Sequence, residues 1–174
     1  MLGIAVLLFS LQAAGDALPE PHPIAMEEGV AVFKRLCMDG FPDPARAQVA
    51  RADQALALVQ VPKPVQLAQQ PGERWVSEQV DHSYVDAAWL PRDLPSPQCA
   101  VVFSITEQRN HRALAEAIAP NLALANGKLG QDRPRDTSRW DMEQADGTTH
   151  RLFLETVATN TGTQVSLRLL NLRD

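Results

Sequence analysis

The first apolar pattern in the chain has a helical period. From Ala25 to Met38, the residues Met26, Val30, Phe33 and Cys37 recur at spacings of four, three and four, one stripe of an α-helix. Gly40 and then Pro42 supply stop signals. Asp43 is an N-cap residue, and Pro44 stands at the first helical position, where its missing N–H costs nothing. A second helix is expected from there. Its inward stripe would be Ala45, Val49, Ala52, Leu56 and Val59, with Arg46, Arg51, Asp53 and Gln54 outward, up to the proline-bearing VPKPV at 61–65. The two should pack as a helical hairpin or side by side on a sheet.

The pattern then changes. Between Gln66 and Pro97 neither period is sustained, although Trp75, Val80, Tyr84 and Trp89 favour short strands or a structured loop, and LPRDLPSPQ reads as a surface connection. CAVVFSIT, residues 99–106, is the strongest strand signal: Cys99, Val101, Phe103 and Ile105 share one face, Ala100 and Val102 the other. Residues 107–119 predict a third helix with Leu114 and Ile118 inward and Pro120 ending it. Three alternating segments follow, SRWDMEQ, HRLFLETVAT and QVSLRLLNL, joined by the Gly-containing hairpin connections ADGTT and NTGT. The expected class is α+β: two N-terminal helices and a later helix on one face of an antiparallel sheet that ends in a three-stranded meander.

A chain of 174 residues, 45% hydrophobic and 21% charged, suits one core better than two domains. The net charge of −5 is spread without a basic cluster, which argues against nucleic acid as a partner. Arg outnumbers Lys 13 to 3 and Ala and Pro are abundant, a bias that fits a GC-rich bacterial genome. The opening MLGIAVLLFSLQAAG has an apolar run too short to span a bilayer, then Ala13 and Gly15 at signal-peptidase positions. It predicts a signal peptide over 1–15, an extended leader over 16–24 and one domain over 25–174, in the periplasm or secreted, with no membrane span in the mature chain.

Export changes what Cys37 and Cys99 mean, because an isolated even pair in an oxidising compartment forms a disulfide by default. Cys37 as nucleophile would need a base, and none of His22, His82, His111 and His150 is tied to it by a motif. Its place near the C-terminal end of a helix also disfavours a thiolate. The pair lacks the local partners of structural zinc, so no metal is expected. Asp39-Gly40 and Asp146-Gly147 fail the calcium-loop count and read as turns. Glu107 and His111 read as an exposed pair four residues apart, beside Arg109 and Arg112. The densest titratable cluster is DHSYVD. It nominates Asp81, His82, Ser83 and Tyr84 as candidates for acid–base or nucleophilic roles, and Trp75, Tyr84 and Trp89 as walls of a binding pocket. Nucleotide-binding and hydrolase-elbow motifs are missing, and no cofactor is expected.

Phe33-x-x-x-Cys37, then Phe41-Pro42-Asp43, an Ala-rich helix and a strand opening at Cys99 together resemble small exported proteins of Gram-negative bacteria that carry no assigned activity. The resemblance implies an envelope compartment and a disulfide, and brings no catalytic residues. The expected function is a non-enzymatic domain that binds a small molecule or an envelope protein. The alternatives are a small hydrolase-like enzyme around His82 and a homo-oligomer paired through an edge of the meander.

Overall fold

Cys99, Val101, Phe103 and Ile105 are all buried on one face of β4 (Gln98–Ile105), as their alternation requires. The computed structural model describes residues 22–63, 69, 72–77, 86–89, 98–130 and 137–172. The signal peptide expected over 1–15, the leader up to residue 21 and the connection over 90–97 lie outside them. β4 pairs with β3 (Asp86–Trp89) on one side and β7 (Gly162–Leu172) on the other; β6 (Thr149–Thr159) and β5 (Thr137–Glu143) complete an antiparallel sheet of order β3-β4-β7-β6-β5. The register sets Cys99, Leu169, Leu152 and Trp140 in one inward row, and Val101, Leu167, Leu154 and Ser138 in the next. The outward row between them runs Ala100, Arg168, Phe153 and Arg139.

Both hairpins of the meander are fixed locally. In the first, the Asp146 carboxylate accepts from the Thr148 amide at 3.0 Å and its hydroxyl at 2.7 Å. In the second, Gly162 lies so close to β4 that a Cβ there would fall 1.9 Å from the Ile105 carbonyl oxygen, so no other residue fits. Lys128 exchanges two backbone hydrogen bonds of 2.9 Å with Arg139, which occupies the middle of the β5 edge.

α1 (Met26–Phe33) lies against β4, with Gly29 packed on the Phe103 ring, which a Cβ would meet at 2.4 Å. It runs on into a π-helical segment, Lys34–Met38, closed by the Asp39 amide donating to the Lys34 carbonyl at 2.9 Å. The wider turn buries Leu36 and Cys37 together. Ahead of α1, Ile24 is buried and its amide donates to the Ser104 carbonyl at 2.8 Å, so the chain joins the sheet before the first helix begins. α3 (His111–Asn121) packs on β5 and β6 through Leu114, Ala115 and Ile118. It starts at His111 rather than 107, because the Asn110 side chain caps the Ala113 amide at 2.8 Å while the Glu107 carbonyl is held by the Thr163 hydroxyl at 2.9 Å. Pro120 sits inside its last turn instead of after it.

The second helix departs most from expectation. Asp43 caps it as predicted, accepting from the Ala45 amide at 2.9 Å, but α2 ends at Arg51 (Pro44–Arg51). Asp53 then turns the chain by accepting from the Ala55 amide, and Ala57 takes a left-handed φ of 41°. Residues 58–61 form β1 (Leu58–Val61), paired with β2 (Arg74–Ser77) in a separate two-stranded sheet. The expected stripe is wrong: Val49 is 74% exposed, and Ala47 is buried instead. So few large apolar side chains cannot hold a long helix down; Leu56 is buried in the turn that follows and Val59 enters the strand ladder.

Cys37 and Cys99 form a disulfide with Cα atoms 5.5 Å apart, fastening the π-helical segment to β4. Both residues are fully buried. Closing a loop of 62 residues stabilises the fold by about 4 kcal/mol in the chain-entropy account. The double variant Cys37→Ala/Cys99→Ala should therefore melt lower by on the order of 10 °C, measured by calorimetry against the oxidised parent.

Candidate functional site

Asp81, His82, Ser83 and Tyr84 lie outside the described residues, and so does Val80. The backbone of Trp89 is placed, opposite Cys99 at the β3–β4 register. Trp75 is half-buried on β2. Its indole N–H donates to Glu73 at 3.3 Å, and the Arg51 guanidinium stands 5.4 Å from its ring centre while pairing with Glu73 at 3.2 Å. That set braces α2 against the small sheet. Among the described residues no three His, Cys, Asp or Glu side chains gather where they could hold a metal.

The sequence pointed away from the most developed polar cluster. His111, expected on an exposed face, is only 4% exposed. Its position at the first turn of α3 aims the ring at the sheet, where Nδ1 lies 2.9 Å from the Thr156 hydroxyl and Nε2 lies 2.8 Å from the Ser138 hydroxyl. Ser138 also accepts from the Gly130 amide at 2.9 Å. The two hydroxyls thus stand against the two ring nitrogens, one on each side of the imidazole. Glu107 is not part of this cluster and pairs with Arg109.

The order hydroxyl, imidazole, hydroxyl resembles a hydrolytic triad with Thr156 in the orienting place. Access decides otherwise. Ser138 is 0% exposed and one of its lone pairs already receives the Gly130 amide, so no substrate carbonyl can approach it. The cluster ties the start of α3 to β5 and β6. A second buried imidazole, His150, faces Asn171 across β6 and β7, with its ring 5.9 Å from that of Phe41. Burial pulls its pKa below the ordinary 6.5, against a smaller opposing pull from Asp146.

The outward face of the large sheet is different in kind, because its side chains are half-buried rather than sealed. Arg151 and Asp141, cross-strand partners, form a two-pronged ion pair at 2.6 and 3.0 Å, which holds the Asp141 carboxyl below the usual carboxylate range. One step along, Arg168 donates to Glu155 at 2.9 Å and lies 5.9 Å from the Phe153 ring centre. A depression of about 490 Å³ opens here, lined by Thr137, Arg139, Phe153, Glu155, Arg168 and Leu170. It joins an apolar floor to a few fixed polar groups on a rigid sheet, and its size falls within the range of small-molecule sites. Writing the two Gly hairpins into register would have found it, since Arg139, Phe153 and Arg168 fall on one line.

No protein-family model matches the chain, and it is matched by no curated protein and no solved structure. No helix among the described residues is long and apolar enough to cross a membrane.

Two measurements check the buried imidazoles. Ser138→Ala strands the His111 Nε2 and the Gly130 amide without a hydroxyl partner and should cost about 1–3 kcal/mol in a urea melt. His150 supplies a pH dependence. Because its native pKa is depressed, the unfolded chain takes up a proton first as pH falls through 6.5, and stability declines from there down to the native pKa. Above 6.5 it contributes nothing. The parent should therefore lose stability between pH 6.5 and 5 more steeply than His150→Phe, in melts at matched ionic strength.

Proposed function

We propose that this chain is an exported binding domain of the cell envelope that takes a small molecule on the outward face of its large sheet. The observation that carries the reading is the depression around Phe153, where an apolar floor and positioned charged groups meet on regular strands. Strands hold such groups within tight limits, so a ligand pays little to order them. The compartment reading is supported by the buried Cys37–Cys99 bond, which persists where thiols are not kept reduced, and by the apolar run ahead of the domain. The fold supports the binding role by sealing its one described Ser–His contact inside the core while leaving this face half open.

A thermal-shift screen of small molecules on the oxidised full chain tests the binding role, paired with intact mass of the secreted protein alkylated with and without reductant. Compounds that raise the melting temperature of the parent and fail to do so for Phe153→Leu are the expected result, with both thiols protected until reduced. Turnover abolished by a single point mutation would overturn the binding role. Alkylation of both thiols without reductant would overturn the compartment.

A further inference from the structure

The charges around Phe153 do not balance, and the surplus sits on one residue. The lining of the depression carries Arg139 and Arg168 against Glu155, while elsewhere on the outward face Arg151 stands with Asp141 and Glu143. Asp141 is taken by Arg151 through both prongs, and Glu155 is taken by Arg168. Arg139 has no ion pair among the described residues, although it lines the depression. Its backbone is held by two hydrogen bonds to Lys128 and stands opposite Phe153 in the β5–β6 register, which sets its side chain on the wall of the depression. This surplus stands on a chain whose net charge is −5.

We propose that the depression recognises a small monoanionic carboxylate with a flat apolar body, the carboxylate forked on Arg139 and the body laid on Phe153 and Leu170. The inference rests on the outward-face binding role and gives it a ligand class. A guanidinium presents paired N–H donors that match the two oxygens of a carboxylate, and a half-buried setting strengthens the contact relative to open water. One unmatched positive charge selects one negative charge. With Arg168 engaged by Glu155, the second charge of a phosphate monoester would find no unpaired cation in the lining. Arg168 over the Phe153 ring extends the flat surface against which a planar body stacks.

The test titrates the full oxidised chain with 2-naphthoate and with its neutral counterpart 2-naphthalenemethanol, reading backbone amide shifts and melting temperature. Shifts from 2-naphthoate should centre on Arg139, Phe153, Arg168 and Leu170. Arg139→Gln should raise its Kd about tenfold with circular dichroism unchanged, and Arg139→Lys, which keeps the charge and loses the fork, should fall between. The alcohol should bind at least tenfold more weakly than the acid. If acid and alcohol bind this face equally, the carboxylate class is wrong while the face remains a binding site. If shifts centre elsewhere, or none is seen up to millimolar probe, the class and the site both fall. Should Arg139→Gln lose its native circular dichroism, the acid–alcohol ratio on the parent decides by itself.

Discussion

The register of β7 is the constraint on which the other features rest. That strand pairs with β4 on one side and β6 on the other, so its alternation assigns both faces of the sheet at once. Val165, Leu167 and Leu169 go inward, while Arg168 and Leu170 go outward. A slip of one residue would drive Arg168 beneath the helices and expose the leucines, at a cost no surface contact could repay. Gly162 blocks the slip mechanically, because its backbone abuts the Ile105 carbonyl where any larger residue would collide.

From that register the division of labour follows. The inward face is closed by α1 and α3, and three of the buried polar groups between them, His111, Ser138 and Thr156, are paired with one another. The outward face has no helix laid on it among the described elements, so polar groups there pair across strands, Arg151 with Asp141 and Arg168 with Glu155. Site chemistry is placed by which side of a strand a residue falls on. Arg168 and Leu167 are sequence neighbours with opposite fates.

Legibility followed the same line. Where a stripe is strong, as in β4 or the three strands of the meander, period and turn residues were enough, and the Asp43-Pro44 start of α2 could be read from capping alone. The length of α2 could not, since Leu56 and Val59 fit a helical stripe while a turn buries the first and a ladder with β2 captures the second. β1 was hidden for that reason, although Trp75 marks the region of β2 as one that favours short strands. His111 misled because a residue at a helix start is assigned a face by where the cap falls, and the cap is Asn110 instead of a residue before 107. The candidate site was illegible as a motif because its residues come from three strands and meet only after pairing.

The closed polar cluster also bears on how this sequence can drift. Replacing His111, Ser138 or Thr156 singly strands a buried partner, yet replacing all three with apolar residues of similar bulk removes the need for pairing and leaves only the Gly130 amide to satisfy. The three positions are thus coupled, and a lineage that crosses from one solution to the other must pass through a less stable ancestor or move near Gly130 first. Homologues should keep the set or lose it together, which makes these residues a marker of descent rather than of activity.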